Sequence, residues 1–247
     1  MPLTGLHTNW LRGSYTNDRD YEIKKSENSK LLNNDLTMLN AHVDEVGKSI
    51  AVGYGYDLFK NLSTLKTDLK DFVTAGSNLD MVYQLVDEYV NKGNPKSYTR
   101  ATLATEINKY FDFGTETKAS EFLAKIVTDE YEKRVDSWLG YVNEWPDGKM
   151  PQSRERAALA SLSYNGGLGP NLKDAILNGN RVEAWFEIRY ETNGGKSASQ
   201  GIANRRYAEA ALFGLYDGGT LTKEQQIDQS KEILQMYTEH RSEILEY

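Results

Sequence analysis

The sequence predicts an α+β fold that is mostly helical, with a small β-hairpin near the N-terminus and about seven helices after it. Three observations predict it. Between residues 48 and 58 apolar side chains alternate with small ones, the two-residue period of a strand. Beyond that stretch apolar residues recur at helical spacing almost to the C-terminus. No long polar linker divides the 247 residues, so 1–247 reads as a single domain.

In chain order, residues 1–20 are polar, rich in Gly and Asn, and read as an irregular arm. Residues 21–40 carry a helical pattern (Ile23, Leu31, Leu32, Leu36, Leu39) interrupted by Asn33-Asn34. In the hairpin, Ile50, Val52, Tyr54 and Tyr56 take one face, and Gly53 and Gly55 the other. Glycine inside a strand marks a bend or the close approach of another group. Leu79, Val82, Tyr83, Val86 and Val90 share one helix face. Thr99 is an N-cap for a helix bearing Leu103, Ile107 and Tyr110. The longest helix is expected over 117–143, from Phe122 and Leu123 to Trp138, Leu139 and Val142, and Trp145-Pro146-Asp147-Gly148 ends it. Ser153 caps an Ala-rich helix, Ala157–Leu162, that stops at Asn165-Gly166-Gly167. Its alanines permit close packing, so it is expected to be the central buried helix. Two more helices follow near 180–191 and 203–216. Thr222 and Gln225 form a capping box for a last helix with Ile227, Leu234, Tyr237, Ile244 and Leu245 on one face.

Composition excludes several classes. There are no cysteines, so no disulfide framework, thiolate metal site or cysteine nucleophile. The three histidines, His7, His42 and His240, lie far apart, and no metal or organic cofactor is implied. Lys+Arg number 29 and Asp+Glu 36, a net charge of −7, with the signs interleaved. A nucleic-acid binder would show a basic stripe. Mean hydropathy is −0.64 and no apolar run approaches the ~20 residues of a membrane span. The N-terminus has neither a basic n-region nor an apolar h-region, so no classical signal peptide is read.

No phosphate-binding loop, dinucleotide fingerprint or nucleophile elbow is present. What remains is carboxylates around a glycine-bearing hairpin: Glu27, Asp35, Asp44, Glu45 and Asp57. Asp44 precedes the first strand and Asp57 closes the second. Glycoside hydrolysis commonly uses two carboxyl groups, one protonated to donate to the leaving oxygen and one stabilising or attacking the anomeric centre. Plain structural roles stand beside this reading. Acidic side chains are mostly solvated. Asn165 and its glycines also make a helix C-cap. Arg205 and Arg206 can tie their helix to Glu209. Tyr54, Tyr56, Trp138, Trp145 and Trp185 are core by default.

Three segments, in order, resemble the phage-type lysozymes. Leu39-Asn40-Ala41-His42-Val43-Asp44 with Ala51-Val52-Gly53-Tyr54-Gly55-Tyr56-Asp57-Leu58 looks like the family's N-terminal lobe, in the Asp-Leu form of the pesticin-like muramidases. Ala160-Ser161-Leu162-Ser163-Tyr164-Asn165-Gly166-Gly167 is similar to its central helix. Gly201-Ile202-Ala203-Asn204-Arg205-Arg206, continuing to Glu209 and Leu212-Phe213, looks like its Asn-Arg-Arg ending and is the most specific of the three. The resemblance spans roughly 35–215. It implies a lysozyme-like fold: a hairpin-bearing lobe over about 21–115, then a long joining helix and a helical lobe over about 116–247.

The resemblance also implies an activity, cleavage of peptidoglycan at the bacterial cell wall, in the periplasm or outside the cell, by a monomer. Its general acid, a Glu seven residues before a Tyr, falls on Asp35 before His42, with Glu27 the alternative if an insertion intervenes. The second carboxylate falls on Asp57 in one branch and Asp44 in the other. His42, Gly53, Tyr54, Tyr56 and Asn165 are the implied substrate-binding positions. The family's water-orienting Thr falls on Ala51, and His42 and Tyr56 stand where many members have Tyr and His. These departures leave three options: a muramidase or endolysin-like enzyme, an enzyme for another amino-sugar or exopolysaccharide glycan, or a lysozyme-like scaffold that binds without cutting.

Overall fold

The computed structural model describes residues 1–44, 48–193 and 200–246. It is mostly helical with one small antiparallel sheet, the α+β class expected. The described residues group into two compact units: Ile23–Ile126, and Met1–Glu22 together with Val127–Tyr247.

The first helix, α1 (Tyr15–Glu27), begins inside the segment read as an irregular arm. The reason is physical. Its buried residues up to Glu22 are Tyr15, Asp18, Arg19 and Glu22, one aromatic and three charged side chains, so no apolar period announces it. After α1 the single helical pattern of 21–40 breaks into pieces. A short α2 (Ser29–Leu32) is capped by Asn28, and a 3-10 turn (Leu36–Leu39) by Asp35. Asn34 sits at φ +67° and ends α2, a conformation Asn tolerates better than most residues.

The sheet has three strands in the order β1 (His42–Val43), β2 (Ile50–Val52), β3 (Tyr56–Asp57), all antiparallel. Strand β2 and β3 are the expected hairpin; β1 lies outside it. Tyr54 sits in the turn and not in a strand, between Gly53 at φ +55° and Gly55 at φ +87°. One face packs inward: Ile50 and Val52 are fully buried, and Tyr56 meets Phe122 edge-on at 5.0 Å. Helices α3 (Leu65–Leu69), α4 (Leu79–Val90), α5 (Arg100–Ile107) and α6 (Glu116–Ile126) complete this unit. Thr99 caps α5 as expected. In α4, Val82, Leu85 and Val86 are buried, whereas Val90 in the last turn is exposed.

The expected helix over 117–143 is not one regular element. α6 passes into a π-helical turn, Val127–Glu132, and then α7 (Lys133–Leu139), which Gly140 stops at φ +79°. In the unit built from both chain ends, α8 (Arg154–Tyr164) is the central buried helix. Every residue from Glu155 to Ser163 is buried, Ser153 caps its start, and Asn165 its end. α11 (Gln200–Phe213) packs directly on it, α10 (Arg181–Arg189) packs on α11 and on α9 (Pro170–Leu177), and all four helices share one apolar cluster. Last come α12 (Lys223–Glu239), with the Thr222–Gln225 capping box, and α13 (Arg241–Glu246). Here the expected face is overturned. Ile227, Leu234, Tyr237 and Leu245 are exposed, Leu234 by 68%, and of the expected five only Ile244 packs inward; Ile233 and Met236 bury instead, against Val182 and Phe186. The helix carries apolar residues on two sides, and α10 takes the other one.

Candidate functional site

The carboxylates singled out by the sequence have different occupations. Asp35 is exposed and accepts hydrogen bonds from the Thr37 N–H at 3.2 Å and the Thr37 hydroxyl at 2.6 Å. It is a cap. Asp44 accepts from the Lys48 N–H at 2.6 Å and ties the β1–β2 connection. Asp57 accepts from the Ser49 hydroxyl, from the N–H groups of Phe59 at 2.9 Å and Lys60 at 3.0 Å, and faces Lys60 Nζ at 3.6 Å. It shapes the turn leaving β3. Glu45 lies outside the described residues.

Glu27 is different. It is the last residue of α1, half-buried, and its carboxylate lies against the hairpin turn. A Cβ built on Gly55 would stand 2.9 Å from Glu27 Oε2. The backbone comes this close only because Gly55 has no side chain, which gives physical content to the glycine signal. The neighbour of Glu27 fixes the approach. Asn28 donates from Nδ2 to the Gly53 carbonyl at 2.9 Å while its Oδ1 accepts from Leu31 N–H at 3.0 Å. One buried amide thus locks the end of α1 to the turn that bears both glycines.

A second set of bonds holds the same turn. The Tyr54 hydroxyl donates to Glu116 Oε1 at 2.6 Å, and Ser120 donates to the same carboxylate. Lys24 Nζ reaches Ser120 at 2.5 Å and Glu116 at 3.4 Å. Burial alone would raise the Glu116 pKa; the Ser120 and Tyr54 hydroxyls and the Lys24 charge reverse that and lower it. Burial and the same Glu116 bond push the Tyr54 phenol up. Tyr54 is therefore a strut under the turn, and its ring is buried. Tyr56 is a strut as well, donating to Asp68 Oδ2 at 2.6 Å. Neither presents an open ring face as a sugar-stacking aromatic would.

On the sheet, His42 pairs with Ala51, and Ala51 with Asp57. His42 is half-buried, with Nδ1 2.9 Å from the Asn40 carbonyl. Asn165, the remaining position, belongs to the other unit, where it is exposed at the C-cap of α8. Arg205 and Arg206 close on Glu209 as their spacing suggests, Arg205 Nε at 3.0 Å. The structure thus brings Glu27, Gly53 and Gly55 together around one turn, sets His42, Ala51 and Asp57 in one row, and leaves Asp35 out.

Sequence reasoning missed Asn28, Glu116, Ser120 and Lys24. Asn28 falls inside the helical pattern read over 21–40, which hides its role as a cap. Glu116 and Ser120 stand four residues apart on α6, but their bonds to Tyr54 and Lys24 cross long stretches of sequence and had no local signal. Among the described residues no group of three or more His, Asp or Glu side chains is placed to hold a metal ion, and no helix is long and apolar enough to cross a membrane. No family model, curated protein or solved structure matches the chain.

Proposed function

We propose that the protein is a glycoside hydrolase of the lysozyme-like kind, cleaving peptidoglycan with Glu27 as its general acid. The observation that carries this reading is the Glu27 carboxylate at the end of α1, seated against Gly55 and locked there by Asn28. An acid catalyst needs a carboxyl held in a fixed position within hydrogen-bond reach of the leaving oxygen. Of the four carboxylates proposed from the sequence and described here, Glu27 is the one whose seat is a glycine turn; Asp35, Asp44 and Asp57 accept backbone N–H groups. The ordered resemblance of three segments to phage-type lysozymes supports the same assignment, with α2 and the 3-10 turn as an insertion between Glu27 and the hairpin.

The test is clearing of purified bacterial walls by the full chain. Wild type is expected to clear them with release of new reducing ends. Glu27→Gln should lower the rate by about 100-fold or more, the usual contribution of a positioned acid, while Asp35→Asn should leave it within about twofold. Equal activity of wild type and Glu27→Gln would remove the assignment.

A second reading is favoured by those same engaged aspartates. A scaffold with one of the sequence-proposed carboxyls, Glu27, seated at the turn would bind a wall or exopolysaccharide glycan without cutting it. Pull-down by walls without any release of reducing ends, in wild type, distinguishes it.

A further inference from the structure

We propose that His42 is the base that activates the attacking water at this site, a role that rests on the reading of Glu27 as the acid. Backbone register carries the first part of the argument. His42 stands directly opposite Ala51, and Ala51 directly opposite Asp57. Directly opposed residues of antiparallel strands project from the same face, so the three side chains form one row across the sheet. The Ser49–Asp57 hydrogen bond runs diagonally on that face and agrees with it. The middle member of the row is a methyl group, buried by its surroundings, while His42 and Asp57 at the two ends are half-buried. Two strand spacings put the His42 and Asp57 backbones about 10 Å apart. Gly55, where the Glu27 carboxylate rests, is the turn residue two positions before Asp57, next to the start of β3.

The tautomer carries the second part. His42 Nδ1 lies 2.9 Å from the Asn40 carbonyl oxygen. A carbonyl only accepts, so Nδ1 carries the proton, and in the neutral ring Nε2 holds a lone pair. The only hydrogen bond to the His42 ring among the described residues is this one at Nδ1. The charged groups on the same strands, Asp44 and Asp57, are held by the N–H of Lys48 and by Ser49, Phe59 and Lys60. An imidazole with Nδ1 fixed to the backbone and Nε2 open is built as a proton acceptor.

The step balances as follows. Water oxygen forms a bond to the anomeric carbon as the bond from that carbon to the leaving oxygen breaks. His42 Nε2 takes a proton from the water, and Glu27 gives its proton to the leaving oxygen. One water is consumed, and both side chains return to their starting states by proton exchange with solvent. Attack from the side opposite the leaving group inverts the anomeric centre, so a β-linked wall glycan yields an α reducing end.

The experiment compares wild type, Glu27→Gln, His42→Ala and His42→Asn on purified walls, with melting curves for each. His42→Ala and His42→Asn are expected to lose about 100-fold or more in turnover with little change in melting temperature, because the ring is only half-buried and makes a single hydrogen bond among the described residues. Sodium azide, a nucleophile that needs no deprotonation, should restore turnover to His42→Ala and yield a glycosyl azide. Nitrogen NMR of the wild-type ring should find the proton on Nδ1. If Glu27→Gln is inactive while both His42 variants keep wild-type turnover, the base is elsewhere and the acid assignment stands. A β-configured product, or a ring protonated at Nε2, would overturn the role of His42 alone. Failure of wild type to cut any wall would remove both.

Discussion

Gly55 joins two constraints in one residue. Its φ of +87° is a backbone state that L side chains rarely adopt, and its missing Cβ leaves room for the Glu27 carboxylate. Gly53, two residues earlier, has a similar φ of +55° but faces the Phe113 ring, where an added Cβ would meet Cε2 at 3.0 Å. The pair therefore separates stability from chemistry. Gly53→Ala and Gly55→Ala should each cost about 1–3 kcal/mol from backbone strain. Gly55→Ala alone should also displace Glu27 and lower wall clearing by a further tenfold or more at temperatures where both variants are folded. Equal residual activities of the two variants, measured beside their melting curves, would show that the turn does not seat the acid. At this scale the sequence was legible in part. The Gly-x-Gly spacing pointed to a close approach, and Glu27 was among the candidates. Asp35, Asp44 and Asp57 were ambiguous because a carboxylate that caps a turn and one that serves a substrate have the same residue type. Their donors, two to four residues onward in sequence, are the clue to the cap.

Among the elements, α8 and α11 show which buried charges a sequence reveals. Glu209 on α11 is almost wholly buried and takes bonds from Arg205, Arg206 and, at 2.6 Å, the Ser161 hydroxyl of α8. Arg205 also donates to the Ser161 carbonyl at 3.0 Å. The arginines stand three and four residues before the acid, so the pairing is local and can be read from spacing alone. Removing the carboxylate would leave two buried guanidinium groups short of their anion. Glu209→Gln is expected to cost about 3–5 kcal/mol, seen as a drop on the order of 10 °C in melting temperature. A shift of a degree or less would mean that the two arginines find other acceptors. Helix α1 is the opposite case. Arg19 is buried by Asp20 at 2.6 Å, Glu132 at 2.7 Å and Thr128 at 3.0 Å, and the Tyr15 hydroxyl joins Glu132 at 2.7 Å. Glu132 and Thr128 lie more than a hundred residues away, so the first turns of α1 look like solvated arm until they fold. The two-sided last helix failed for a related reason, since periodicity reports an apolar face but not which face finds a partner.

For the molecule as a whole, the chain termini matter because one compact unit is assembled from both ends of the sequence. The first seven residues are built into it. Leu3 N–H bonds the Ile176 carbonyl at 2.8 Å, and Trp145 donates to the Leu3 carbonyl at 3.2 Å. Arg181 donates to the carbonyls of Thr4 at 3.2 Å and Gly5 at 3.0 Å, to Asp217 at 2.8 Å, and to the fully buried Glu155 at 2.7 Å. His7 meets the same carboxylate through its N–H at 3.0 Å and Nδ1 at 2.7 Å. Deleting residues 1–7 would strip Glu155 of two donors and leave carbonyl-seeking groups of Arg181 unmatched, so a loss of about 3–5 kcal/mol is expected in thermal or urea unfolding. The same centre gives the stability a pH signature. Burial by itself would raise the Glu155 pKa, but the His7 bond and the Arg181 charge overcome it and hold the carboxyl below its ordinary value. A carboxylate lowered in this way stabilises the fold above the unfolded-state pKa, about 4.3 for Glu. That contribution is lost as pH falls through the lower, folded value. The melting temperature of wild type should therefore drop below about pH 4.5, where the unfolded chain takes up the proton first. Glu155→Gln should melt well below wild type at pH 7, and the gap should narrow as the pH is taken from 5 to 3. A gap that stays constant over that range would mean that Glu155 keeps the same protonation state in both folded and unfolded chains, and that the arm is held by packing and carbonyl bonds alone.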